Sequence, residues 1–106
     1  MRLRLHPQVA RDTRDVLAYT LERFGEGQML AYKQLISEAK DRLTERPTAG
    51  IRRDDIGHGV RVLSIARRGR RASHGFIYRV VDDEVIEVLR FVHLVRFLPA
   101  LLPDDA

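Results

Sequence analysis

One stretch constrains the fold more than any other. It runs from Ser73 to His93 and reads Ser-His-Gly-Phe-Ile-Tyr-Arg-Val-Val-Asp-Asp-Glu-Val-Ile-Glu-Val-Leu-Arg-Phe-Val-His. Two runs rich in β-branched and aromatic residues flank the carboxylates Asp82, Asp83 and Glu84. This pattern predicts a β-hairpin, because an Asp at the turn can bond its own backbone. With Asp82 and Asp83 as the loop, Arg79 faces Ile86, Ile77 faces Val88 and Gly75 faces Arg90. The other face then carries Phe76, Tyr78, Val80, Val85, Leu89, Phe91 and His93. Neither face is plainly polar, so both need cover. The chain's own helices are expected on one face and a partner on the other.

Upstream, Leu3 and Leu5 alternate with Arg2 and Arg4, which predicts a short strand ended by Pro7. Residues 8–24 read as a helix with the stripe Val9, Thr13, Val16, Leu17, Thr20 and Phe24, capped by Gly25. Residues 27–46 read as a second helix with the stripe Met29, Tyr32, Leu35, Ile36, Ala39 and Leu43. Glu38 and Arg42 stand four apart on it, a favourable spacing for an ion pair. The link is so short that the helices should form an antiparallel hairpin. Residues 47–59 read as a loop, 60–66 as a strand, and 67–72 as a basic connection into the hairpin. The segment after His93 is too apolar for a free tail and is expected to dock. The order β-α-α-β-β-β predicts an α+β domain over residues 1–106. Its two layers are a helical hairpin and a small antiparallel sheet.

Charge narrows the function. The net charge is +4, but residues 51–71 hold seven arginines against Asp54 and Asp55. That segment therefore carries +5 and the remainder about −1. A local basic excess suggests a polyanion or an acidic protein as partner. The chain has no cysteine, which excludes disulfide scaffolds and thiol catalysis and fits a reducing compartment such as the cytoplasm. No apolar run approaches membrane-spanning length, and residues 1–7 show no apolar signal-peptide core. The histidines His6, His58, His74 and His93 show no metal-ligand spacing, and no glycine-rich phosphate loop precedes a helix. Neither a metal nor a cofactor is expected.

The chain resembles the RelE/ParE superfamily of toxins from type II toxin–antitoxin modules, and within it the ParE branch. The resemblance rests on Ala10-Arg11-Asp12, Tyr19, Phe24-Gly25, Leu43, Pro47, Gly50 to Ile56, and Gly59-Val60-Arg61. Its most specific part is His74 to Val80 followed by Val88 to His93. Two positions depart from the pattern: Gly75, where ParE-like chains usually carry Arg, and Phe97, where they tend to carry Asp. The resemblance implies a protein that binds DNA gyrase, traps it on cleaved DNA, and is silenced by an antitoxin wrapped over its helices and sheet. The antitoxin is expected to be small, with an acidic helical segment, and to form a hetero-oligomer with the toxin.

A RelE-like alternative, ribosome-dependent cleavage of mRNA, needs a base, an acid and cations around the phosphate. Here it would fall to Arg61, His93 and Arg96, an incomplete set because Leu63 stands where a second cation is expected and the C-terminal segment has no Tyr. A plain nucleic-acid-binding module is a third possibility, but stacking aromatics are lacking near the basic segment. The favoured expectation is a gyrase inhibitor with no chemistry of its own. Arg67, Arg68, Arg70, Arg71, Arg96 and Phe97 would meet the target, and Tyr78, Arg79, Arg90 and Phe91 the antitoxin.

Overall fold

A computed structural model describes residues 1–67 and 70–95, with backbone alone for Arg67 and residues 70–72. Strand β1 (Arg2–Leu5) leads into helix α1 (Pro7–Phe24), then α2 (Glu26–Glu45), β2 (Ile51–Arg52), β3 (Val60–Arg67), β4 (Arg70–Val80) and β5 (Val85–His93). The sheet order is β1-β5-β4-β3-β2. This is the expected α+β arrangement with one further strand of two residues, too short to leave a periodic signal. The sheet is mixed: β1 lies parallel to β5, pairing Leu3 with Ile86, while the other neighbours are antiparallel.

The helical hairpin turns on one residue. Gly25, at φ +89°, ends α1 and opens α2, a left-handed position that glycine adopts without a Cβ clash. His6 caps α1 by accepting the Gln8 N–H on Nδ1 at 3.1 Å, and Pro7 supplies the preset φ of the first turn. Leu35, Ile36, Ala39 and Leu43 of α2 and Val9 of α1 bury against Leu63, Ile65, Phe76, Tyr78, Ile86, Val88 and Phe91 of the sheet. Each large side chain buried here contributes about 2 kcal/mol of hydrophobic transfer. Glu38 and Arg42 do not pair: Glu38 accepts from Gln34, and Arg42 reaches across to the Ser64 carbonyl at 3.3 Å.

The β4–β5 hairpin forms, with a register different from that expected. Val80 faces Ile86 and Arg79 faces Glu87, so Asp82, Asp83 and Glu84 together make a three-residue loop. Asp82 Oδ1 closes it by accepting the Glu84 and Val85 amides at 2.7 and 3.0 Å. Farther along, Tyr78 faces Val88 but Ile77 faces Arg90, which leaves Leu89 as an extra residue in β5. This bulge changes which residues face the helices. Ile86 and Val88 point to the helical layer before it; after it Phe91 does, opposite Phe76. His93 follows in step, opposite His74.

The face away from the helices is partly self-covered. Ile56, Val60, Ile77 and Val92 cluster there, with Val62 and Leu94 against them. The loop before β3 supplies Ile56, held by the Ile56 N–H donating to the Arg53 carbonyl at 3.0 Å. The expected basic connection 67–72 is not a loop throughout. Strand β3 continues to Arg67 and β4 starts at Arg70, with Arg67 opposite Arg70 and Ala66 opposite Arg71.

Candidate functional site

Two histidines meet at the end of the sheet where β4 begins and β5 ends. His74 and His93 are cross-strand partners, with ring centroids 5.1 Å apart and nearly perpendicular planes. His74 also stacks on Phe91 at 5.6 Å. Its Nδ1 lies 2.7 Å from the Tyr32 hydroxyl, which ties α2 to β4. Burial, and behind it the neighbouring His93, push the His74 imidazole down from its usual 6.5 to about 4. It is neutral at physiological pH. The Tyr32 hydroxyl is pushed up by burial. His93 Nδ1 is buried and has no hydrogen-bond partner among the described residues.

These groups floor a cleft of about 500 Å³ between the two helices and the strand ends. Val16, Tyr19 and Phe24 wall it from α1, Tyr32 from α2, and Asp15 is the one carboxylate lining it among the described residues. Tyr19 is 56% exposed and Phe24 65%. Their rings make an edge contact at 6.5 Å, and the Arg23 guanidinium lies 5.8 Å above the Tyr19 ring. Phe24 completes the apolar stripe of α1 by spacing, yet as the last residue of the helix it stays exposed. Spacing alone could not separate it from the core residues of the same stripe.

The opposite end of the sheet is different. Arg61 in β3 donates through Nη1 to the Gly50 carbonyl at 2.9 Å and to the Thr48 carbonyl at 3.4 Å. It faces Tyr78, whereas His93 faces His74. Those two β4 positions are four residues apart, about 13 Å along a strand. Arg61 and His93 therefore do not converge on one phosphate, and Arg96 lies outside the described residues.

A family model, ParE toxin of type II toxin–antitoxin system, parDE, matches residues 3–95. The chain belongs to the ParE toxin family. Toxin ParE1 of Mycobacterium tuberculosis, in strains CDC 1551/Oshkosh and ATCC 25618/H37Rv, is 30% identical over 89 residues, covering 84% of this chain and 85% of that protein. Among solved structures, a chain of the "Chromosomal ParDE TA system from P. aeruginosa" matches with a TM-score of 0.71 at 24% identity, covering 88% of this chain and 95% of the other. At that identity the likeness speaks for the fold.

In this ParE toxin the residues expected to meet an antitoxin fall into two groups. Tyr78 and Phe91 are core residues, 0% and 1% exposed, and offer a partner no surface. The Tyr78 hydroxyl donates to the Pro47 carbonyl and accepts the Gly50 N–H, both at 2.8 Å, pinning the chain after α2. The expectation that these two contact a partner is corrected by their burial. The charged pair has internal partners: Arg79 bonds Glu87 at 2.9 Å, and Arg90 bonds Asp12 at 2.7 Å. Burial pushes the Glu87 carboxyl up, but hydrogen bonds from Arg4 and Arg79 outweigh it and hold Glu87 below its usual range. Of the residues expected to meet the target, Arg68, Arg96 and Phe97 lie outside the described residues. Arg67, Arg70 and Arg71 are placed by backbone alone, on the β3–β4 hairpin. Asp12, Tyr19 and Phe24 belonged to the family pattern, but their roles needed the packing. No group of three or more His, Cys, Asp or Glu that could hold a metal occurs among the described residues.

Proposed function

We propose that this ParE toxin inhibits DNA gyrase by holding it in a DNA-cleaved state, acts in the cytoplasm, and is neutralised by a cognate antitoxin in a hetero-oligomer. Family membership supports the first part of this reading. The observation that carries it against the RelE-like alternative is the separation of Arg61 from His93, with Arg61 held on backbone carbonyls of the 47–50 segment. Phosphodiester cleavage needs acid, base and cation around one phosphate, and these residues stand at opposite ends of the sheet.

An inhibitor of this kind works by differential affinity. It shifts gyrase toward the cleaved state only by binding that state more tightly than the others. Moving a population from 1:99 to 99:1 takes about 5.5 kcal/mol of difference. The β3–β4 hairpin brings Arg67, Arg70 and Arg71 together at one end of the sheet, continuous in sequence with Arg68. A single basic cluster of this sort suits an acidic surface or a DNA backbone. Changing Arg67, Arg68, Arg70 and Arg71 to Glu should abolish growth arrest on induction while leaving the thermal transition and antitoxin binding in place. Undiminished growth arrest in that folded variant would remove the hairpin from the target contact.

A further inference from the structure

The sheet face turned away from the helices is covered over only part of its width. Ile51 in β2 pairs with Val62 in β3, and Val62 with Ile77 in β4, so three β-branched side chains form one row across three strands. In the next row Ser64 lies opposite Gly75, which puts no side chain on that face. The result is a groove of about 200 Å³ between Ile51, Ile56, Val62, Ile77 and Leu94. Ile51, in the edge strand, is 63% exposed. An apolar sheet face left open in this way needs an occupant.

The chain itself runs toward this groove. The Leu94 N–H donates to the Ser73 carbonyl at 2.8 Å, which fixes the exit from β5. The Leu94 side chain packs on the cluster of Ile56, Val60, Ile77 and Val92 and lines the groove. Beyond Val95 the sequence reads Arg-Phe-Leu-Pro-Ala-Leu-Leu-Pro-Asp-Asp-Ala, and Phe97, Leu98, Leu101 and Leu102 are its large apolar residues. From β5 to β2 the sheet order leaves three strand spacings, about 14 Å. The seven residues that follow Leu94 reach up to about 23 Å when extended, so they span the face with slack. A tethered segment also meets its groove at an effective concentration in the roughly millimolar range, ahead of a dilute free partner. Asp104 and Asp105 follow it, opposite in sign to the +5 carried by residues 51–71.

We propose that this groove is the seat of the chain's own C-terminal segment, with apolar side chains of residues 97–102 laid across Ile77, Val62 and Ile51. The second sheet face then takes its cover from within the chain. A partner that binds this face must first displace the segment, and Phe97 is drawn away from the target contact. The inference stands independently of which target the toxin has.

The chain has no cysteine, so a nitroxide can be placed at one chosen position. It is attached to Ile51→Cys in the full, isotope-labelled chain, and amide signals are compared before and after the nitroxide is reduced. Signals of residues 97–102 should lose more than half their intensity while the nitroxide is active. The same label on Leu30→Cys, an exposed position on α2, should leave them unchanged. Arg53→Cys, exposed and lining the groove, gives a second label position that keeps Ile51 in place. Full signal intensity with both groove labels overturns the proposal. Broadening that arises only between different molecules, in a mixture of nitroxide-bearing and isotope-labelled chains, would give the groove to a second copy and overturn it too. In the Phe97→Ser/Leu101→Ser variant the Val62 and Ile77 amides should exchange at least tenfold faster, and unchanged exchange there counts against the seat as well.

Discussion

Asp12 in α1 and Arg90 in β5 are joined by two hydrogen bonds, from Arg90 Nε at 2.7 Å and Nη2 at 2.9 Å, across 78 residues of sequence. The same carboxylate accepts the Phe91 N–H at 3.0 Å and the Gln8 amide at 3.0 Å. Asp12 is 7% exposed, so its charge is stable only because these donors surround it. The contact sits beside the Leu89 bulge, where β5 changes the side it presents to the helices. Asp12 thus fixes α1 to the strand segment that aims Phe91 and His93 into the helical layer.

Replacing Asp12 with Ala leaves the Arg90 guanidinium and the Phe91 amide without this carboxylate. Removing one member of a buried pair costs about 3 kcal/mol or more. The expected result is a drop of roughly 15 °C in the melting temperature, since a domain of this size loses about 4–8 °C per kcal/mol. The double change Asp12→Ala/Arg90→Met should recover part of the loss. Urea denaturation of the three proteins measures this, and additive losses would contradict the pairing.

Tyr78 makes a second long-range tie through its hydroxyl. Tyr78→Phe leaves the Gly50 N–H and the Pro47 carbonyl unmatched, which costs about 1–3 kcal/mol. Gly50 is required by the same approach, because an added Cβ would lie 2.5 Å from the Tyr78 hydroxyl oxygen and 2.9 Å from the Val62 carbonyl oxygen. Gly50→Ala should therefore destabilise the chain as well. Combining it with Tyr78→Phe should cost less than the sum, since the first change already displaces the hydroxyl.

Gly75 stands where the resemblance leads one to expect arginine, and in this chain the packing leaves no room for a side chain. A Cβ there would stand 2.7 Å from the Leu63 carbonyl oxygen and 3.0 Å from the Ser64 Cα, both backbone atoms of β3. The nearby irregularity between Ser64 and Ala66 accompanies this close approach. Gly75→Ala should lower the urea midpoint, and Gly75→Arg should lower it further. A midpoint unchanged by both would show that β3 yields freely at this point.

His74 makes stability depend on pH in a definite direction. The folded chain holds it near 4, chiefly through burial and then through His93, against 6.5 when unperturbed. Between those values the unfolded chain binds more protons than the folded one, so stability rises with pH across the window. Stability from this group is present in full above about pH 6.5 and is lost as the pH falls toward 4. The partly exposed ring makes the change smaller than a fully buried imidazole would give. His74→Phe should flatten the dependence of melting temperature on pH between 4 and 6.5, and an unaltered slope would assign it to other groups.

Much of the fold is written in local patterns. The two helical stripes, the Gly25 junction and the Asp82 turn each follow from a few adjacent residues. The Leu89 bulge does not, because Val-Leu-Arg-Phe reads equally well as regular strand. Its effect reaches far: one extra residue changes every later pairing, so Gly75 faces Val92 rather than Arg90. The parallel placement of β1 and the burial of Asp12 depend on contacts more than 70 residues apart. The cleft was least legible, since Phe24 carries the same spacing as the core residues of α1. The basic segment was visible at once, but a run of arginines does not reveal that β3 extends to Arg67 and β4 begins at Arg70.

The central claim is that this ParE toxin is a gyrase poison, and plasmid supercoiling by purified gyrase tests it most directly. The reaction is run with the toxin added, stopped with detergent and protease, and resolved on a gel that separates linear DNA. The account predicts linear plasmid accumulating with toxin concentration, recovered only after protease releases the covalently held ends, and suppressed by the antitoxin. Intact plasmid with normal supercoiling at saturating toxin would contradict it and turn attention to the ribosome.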